Sequence, residues 1–221
     1  MNSYHIAFDL RYYPAYQGFE GSRAGASVFR PAQGESLRYS NLSQLLVQKS
    51  DLVSQLTLIF QNEKNESAVV KARMTFDSPL IDWEVNTEAI PVADGQGKEV
   101  TVNFRGVDMD GLDTFYTDQS GLEMATRTLG VRWNNYHEPK SHHNISVNMY
   151  PITSAIAIKD LADERAEQMT IMVDRTMAGV AGLKPGRIEL LHARRLLFDD
   201  NDAIEVVLNE TYDAPPTTYT M

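Results

Sequence analysis

Apolar residues recur at every second position through most of this 221-residue chain. Tyr4, Ile6, Phe8, Leu10 and Tyr12 fall on one side of an extended segment, with His5, Asp9 and Arg11 on the other. Val70, Ala72, Met74 and Phe76 alternate with Lys71, Arg73 and Thr75. Ile81, Trp83 and Val85 alternate with Asp82, Glu84 and Asn86, and Val100, Val102 and Phe104 with Thr101, Asn103 and Arg105. A period of two is the mark of a half-buried strand. The second half repeats it at Ile145/Val147/Met149, Ile156/Ile158, Met169/Ile171/Val173, Ile188/Leu190/His192 and Ile204/Val206/Leu208. Turn signals separate these runs, among them Asp94-Gly95-Gln96-Gly97, Ser120-Gly121 and Gly182 to Gly186. Many short strands at close spacing predict a mainly β fold, a large antiparallel sandwich with few short helices. Leu45 to Phe60 reads at either spacing, and the β-favouring Thr57, Ile59 and Phe60 support a strand from Val53. Leu161–Gln168 is the helical candidate. Thr128–Asn144 reads as a long loop. Residues 1–213 are expected to form one β-sandwich domain, and 214–221 (Ala-Pro-Pro-Thr-Thr-Tyr-Thr-Met) a frayed tail.

Charge narrows the partners. The formal net charge is −10, which repels nucleic acid and anionic lipid, so no nucleic-acid partner is expected. No apolar run reaches the ~20 residues of a membrane helix, so no membrane span is expected. The absence of cysteine excludes disulfides and thiolate metal sites. Four N-x-[ST] sequons begin at Asn41, Asn65, Asn144 and Asn209 and point to a lumenal route. Met1 to His5 carries no basic-then-apolar leader. The two observations agree if the chain is an internal piece of a longer precursor.

Candidate chemistry is sparse. Asp108-Met109-Asp110-Gly111 opens like a calcium loop, but Leu112 and Gln119 stand where an EF-type loop needs ligands. His142 and His143 are adjacent, and adjacent strand side chains face opposite ways, so with His137 they read as a solvated loop. His192 shares a stripe with Ile188 and Leu190 and reads as a hydrogen-bonded core histidine. Asp82 and Glu84 share a strand face about 7 Å apart, a spacing permissive for paired-carboxylate chemistry, but a solvated face accounts for them. Arg194-Arg195 ends an apolar strand before Asp199-Asp200. Pairing with those carboxylates and fixing a polyhydroxyl ligand are both open to that pair. The residues by themselves describe a β-rich domain without a complete catalytic set.

Six stretches, in order, resemble the C-terminal region of glycoside hydrolase family 38, the α-mannosidases, and are closest to its lysosomal type. Gly25-Ala26-Ser27-Val28-Phe29-Arg30-Pro31 is similar to G-A-Y-x-F-x-P. Ile81-Asp82-Trp83-Glu84-Val85 with Ile90 to Val100 is similar to E-W-T-V-G-P-I-P-V-x-D-G-x-G-K-E-V. Phe115 to Glu123 resembles F-Y-T-D-S-N-G-R-E, Asn148 to Ile152 resembles N-Y-Y-P-V, and Asp174-Arg175 sits as in T-D-R. Arg194 to Asp200 resembles R-R-L-L-x-D-D. The resemblance covers Tyr4 to Thr211.

It implies a galactose-mutarotase-like supersandwich belonging to a zinc-dependent, retaining exo-hydrolase of terminal α-D-mannose in N-glycans. It places the zinc, the nucleophile and the acid in a catalytic part outside this chain, which binds no zinc itself and is expected to be inactive alone. The implied partners are that catalytic domain or fragment and mannose-containing glycans, and the implied location is the lysosome or the secretory-pathway lumen, extracellular space included. Substrate-pocket candidates are Arg194 or Arg195, and Ser27, which replaces a family tyrosine. A non-catalytic carbohydrate-binding or scaffold module derived from such an enzyme is the alternative.

Overall fold

The computed structural model describes residues 5–18, 23–64, 66–109, 113–132, 136–137, 145–160, 167–200, 206–211 and 217–221. In chain order the strands are β1 (Ile6–Pro14), β2 (Leu37–Arg38), β3 (Asn41–Lys49), β4 (Val53–Gln61), β5 (Ser67–Thr75), β6 (Ile81–Thr87), β7 (Lys98–Gly106), β8 (Thr114–Gln119) and β9 (Glu123–Thr128). There follow β10 (Val131–Arg132), β11 (Tyr136–His137), β12 (Tyr150–Ile152), β13 (Ala155–Lys159), β14 (Gln168–Val173), β15 (Met177–Ala181), β16 (Arg187–Arg195) and β17 (Thr217–Thr220). They form a six-stranded sheet, β12-β15-β16-β7-β1-β2, and an eleven-stranded sheet, β11-β10-β9-β8-β13-β14-β17-β6-β5-β4-β3. All pairings are antiparallel. The expected antiparallel β-sandwich is therefore what these residues build.

The two inner faces meet in one core. Leu10, Val100, Val102, Phe104, Ile188 and Leu190 come from the smaller sheet. Val70, Trp83, Val85, Ile156, Ile158, Ile171 and Tyr219 come from the larger. Phe104 is the hinge of an aromatic cluster, edge-on to Phe8 and Trp83 at 5.3 Å and to Tyr219 at 5.6 Å. Such edge contacts add roughly 0.5–1.5 kcal/mol to the area each ring buries. His192 is the hydrogen-bonded core histidine expected: Nδ1 lies 2.9 Å from the Tyr219 hydroxyl and Nε2 3.3 Å from the Thr87 hydroxyl. Burial, assisted by the nearby Arg175 charge, pushes its pKa down to about 4.

Several expectations are corrected. Of the tail 214–221 expected to fray, residues 214–216 lie outside the described set, whereas Thr217–Thr220 form β17, hydrogen-bonded between β6 and β14, with Tyr219 fully buried. Asp174 fixes this strand by accepting from the Thr218 N–H at 2.9 Å. The strand expected from Val53 is preceded by another, β3, which pairs with β4 through a bulge between Leu42 and Gln44. Ile145/Val147/Met149 is not a strand stripe. Ser146–Asn148 is a 3-10 turn, held where Asn148 Oδ1 accepts from the Gly130 N–H at 2.8 Å, and the strand starts at Tyr150.

Val206 to Leu208 lies outside any strand, because Leu208 turns in to pack on Ala15, Ala24 and Leu196. Thr128–Asn144 contains the small β9-β10-β11 ladder rather than loop alone. Of Leu161–Gln168, residues 161–166 lie outside the described set and Gln168 opens β14. His142 and His143 also lie outside it. The outer face of β7, expected to be solvated, is buried: Glu99, Thr101 and Asn103 are as inaccessible as Val100, Val102 and Phe104.

Candidate functional site

That buried polar face is the outer side of the six-stranded sheet. On β7 it presents Glu99, Thr101 and Asn103, and the facing strands add Tyr13, Glu189 and Arg194. Chain between β1 and β2 covers it. Phe29 sits edge-on to Tyr13 at 5.8 Å. Arg11 donates from Nε to the Ser36 hydroxyl at 2.8 Å and from Nη2 to the Ser36 carbonyl.

Arg194 closes one corner. Its register partner is Glu99. Nε donates to Glu99 Oε1 at 2.9 Å, and Nη2 reaches the same oxygen at 2.5 Å. Nη2 also donates to the carbonyls of Gly25 and Val28 at 2.9 Å, and Nη1 donates to that of Ala26 at 3.2 Å. The guanidinium fork thus ties a tight turn, Gly25–Val28, to the sheet. That turn closes on itself through reciprocal backbone bonds of 3.1 and 3.2 Å. Gly25 is required there: a Cβ would lie 2.5 Å from the Asp200 carboxylate. Asp200 in turn accepts from the Ser27 N–H at 3.1 Å.

Ser27 therefore sits exposed at the tip of the turn that Arg194 holds, and these two candidates share one corner. Arg195 projects to the other side of the strand. It donates from Nη1 to the Ile90 carbonyl at 2.6 Å and from Nε to Asn209 Oδ1 at 2.9 Å. Asn209 and Asn41 are exposed, and their Oδ1 atoms are the acceptors used, from Arg195 and Arg38. Asn65 and Asn144 lie outside the described residues.

The electrostatics follow from burial. Desolvation pushes the Glu99 pKa up to about 7, against the pull of Arg194. Glu189 is raised by the same cause, opposed by hydrogen bonds from Tyr13 and Thr101. Burial and the neighbouring Glu189 also hold the Tyr13 phenol above its ordinary range. Glu99 Oε2, Asn103 Oδ1 and Glu189 Oε1 are buried acceptors with no donor among the described residues. Alternation carried no warning of this set, because Thr101 and Asn103 read as polar and hence solvated. The available signal was Lys98-Glu99 entering an apolar strand.

This face holds two buried carboxyl groups, Glu99 and Glu189. Glu99 pairs with Arg194, whereas Glu189 pairs with Asn103, four residues along β7. At about 3.4 Å per residue the two backbone positions are offset by roughly 14 Å along the strand, and the Glu189 carboxyl leans back to accept from Tyr13 and Thr101. Asp82 and Glu84 face outward beside a cavity of about 230 Å³. Glu84 is ion-paired with Lys71 at 2.6 Å and Asp82 accepts from Thr220 at 2.9 Å. Among the described residues, no group of three His, Asp or Glu side chains is placed to hold a metal ion.

The motif residues singled out above act as clamps. Lys98, buried, donates to the Pro91 carbonyl at 2.5 Å and to Asp94 at 2.9 Å, pinning the Ile90–Gly97 connection. Asp118 accepts from the N–H groups of Gly121, Thr153, Ser154 and Ala155 and from the Thr153 hydroxyl. Burial works to raise its pKa, but those donors outweigh it and hold the carboxyl well below the ordinary range.

No family model matches the chain. Curated relatives do. It is 34% identical over 191 residues to the lysosomal α-mannosidase of Bos taurus, covering 85% of this chain and 18% of that protein. It is 32% identical over 190 residues to the human lysosomal α-mannosidase, with 85% and 17% covered, and 27% identical over 192 residues to that of Dictyostelium discoideum, with 85% and 18%. The chain spans under one fifth of the length of these relatives. By sequence, then, it is similar over most of its length to one stretch of the lysosomal α-mannosidases.

Proposed function

We propose that this chain is the C-terminal β-sandwich part of a zinc-dependent, retaining α-mannosidase of glycoside hydrolase family 38, acting on terminal α-D-mannose of N-glycans in a lysosomal or secretory lumen. The observation that carries this reading is the identity of about one third with α-mannosidases across 85% of the chain. In such an enzyme zinc binds sugar hydroxyls as a Lewis acid. Its ligands and the two reacting carboxyl groups belong to polypeptide outside this stretch. The role of these residues is support. Arg194 holds the Ser27 turn at a fixed height on the sheet edge, and that turn is the part of the chain offered to the pocket rim. The sequons at Asn41 and Asn209 suit glycoprotein status, since both asparagines are exposed.

The purified chain is expected not to hydrolyse 4-nitrophenyl α-D-mannoside. Hydrolysis that survives a chelator would overturn the reading. Mass spectrometry of native material is expected to find it travelling with α-mannosidase sequence that binds zinc. Mannose binding by the chain alone in calorimetry, with no such companion, would favour the carbohydrate-binding module instead.

A further inference from the structure

The two sheets differ in width, eleven strands against six. Phe8 of β1 stacks on Trp83 of β6 at 5.3 Å and meets Phe60 of β4 at 6.2 Å. β1 and its two-residue neighbour β2 are therefore the last roof over the larger sheet, and β3 lies beyond them.

The uncovered part is apolar on the face that belongs to the core. Cross-strand register puts Leu42, Leu45 and Val47 of β3 on the same side as Leu56, Leu58 and Phe60 of β4 and Val70, Ala72 and Met74 of β5. Leu58, Phe60 and Val70 are buried. Leu42, Leu45 and Met74 are about half exposed, and Val47 is 69% exposed. At the open end of the same hairpins, Leu52 (72%) and Phe76 (85%) are joined by a backbone hydrogen bond of 2.9 Å. The opposite side is mixed, with Leu46, Ile59 and Val69 among Gln44, Gln48, Gln55, Thr57, Lys71 and Arg73. The face in question bears one charge on β3, Lys49. This nine-residue edge strand has a bulge at Ser43 but little charge on the face in question, and contiguous apolar surface of this kind marks an interface.

Three further features say what covers it. Among the described residues, β1 has a ladder partner on its β2 side only at Arg11 and Tyr12, so Ile6 to Asp9 offer a strand edge above this face. An apolar cleft of about 820 Å³, lined by Ile6, Ile81, Met109, Met169 and Met221, opens beside Met74 between the two sheets. The α-mannosidases that the chain resembles are more than five times the length that it matches, so most of such a polypeptide lies outside this stretch.

We propose that the core-side face of β3, β4 and β5 is covered by α-mannosidase polypeptide from outside the matched stretch, which pairs with this edge of β1 and seats apolar side chains on Leu42, Leu45, Val47 and Met74. This rests on the mannosidase reading above. Asn41 falls on the opposite side of β3, paired with Gln61, so a glycan there leaves the covered face free.

The test is cross-linking mass spectrometry on the native complex, comparing Lys49 on the covered face with Lys71 on the outer one. Lys49 is expected to link to α-mannosidase peptides outside this stretch. Links from Lys49 to a second copy of this chain overturn the proposal. α-Mannosidase peptides reached only from Lys71 also overturn it, while leaving the mannosidase reading intact. A complex without α-mannosidase sequence refutes both. In cells, the double variant L45K/V47K is expected to reduce co-purified α-mannosidase polypeptide at least tenfold, with an unchanged melt of the chain alone. L46K, on the other side of β3, is expected to leave it unchanged, and equal retention by both variants overturns the proposal.

Discussion

The centre of the sandwich and its β3-β4-β5 margin are built from the same pattern and end in opposite states. At β6, β17 and β14 the apolar stripe meets β7 and β16 across the core and disappears from solvent. At β3 the stripe of Leu42, Leu45 and Val47 stays half or more exposed. Alternation therefore specifies which face seeks cover, and the width of the opposing sheet decides whether the chain supplies it. Burial in the centre stabilises the fold; apolar residues at the margin contribute little until a partner arrives.

Three measurements sharpen that contrast. Phe104→Ala removes a ring that touches Phe8, Trp83 and Tyr219 and is expected to destabilise the isolated chain by about 3–5 kcal/mol in urea melts. Val47→Ala, at the margin, is expected to change it by less than about 0.5 kcal/mol. Comparable losses would remove the distinction.

The second measurement uses two buried titrating groups of the central region. Glu99 has its folded pKa raised from 4.5 to about 7, so its protonated form favours the fold. Its contribution is complete below pH 4.5 and is lost as pH rises to about 7. His192 is lowered from 6.5 to about 4, so its contribution is complete above pH 6.5 and is lost as pH falls to about 4. Each amounts to about 3 kcal/mol, and the two oppose one another between pH 4.5 and 6.5. Glu99→Gln is expected to leave stability rising with pH through that window relative to wild type, and His192→Gln to leave it falling. Parallel curves for both variants would refute the assignment.

The third measurement is at Asp118. Asp118→Ala leaves four N–H groups without their acceptor and is expected to cost about 2–3 kcal/mol. Because its folded pKa is lowered, the wild-type advantage is present above about pH 4 and shrinks as pH falls further. An advantage independent of acid would point to packing instead.

Much of the fold is legible in the chain because strand alternation is a local property. Ile81 to Asn86 and Val69 to Thr75 show it plainly, and both form strands. What was hidden depends on distant pairing. Thr217-Thr218-Tyr219-Thr220 is β-favouring but has no apolar alternation, and its place inside the sheet depends on β6 and β14 lying on either side of it. β3 was obscured because its bulge at Ser43 breaks the alternation and lets Leu45 and Leu46 mimic helical spacing. The split between Arg194 and Arg195 was equally undetermined, since the residue that captures Arg194 lies 95 positions earlier. The polar face of β7 was misread because burial there is imposed by chain crossing over it, not by its own composition.

The position of β17 also governs how the chain is assembled. It is the slat between β6 and β14, so the block formed by β3 to β6 and the block formed by β8 to β11, β13 and β14 share no direct ladder among the described residues. On the ribosome both blocks emerge before the residues that fasten them together, and until then each shows raw hydrogen-bonding edges to the cytosol or translocon. Final closure of the wide sheet is therefore a late, non-local event, slow by nature, and the interval before it is when chaperone binding matters most.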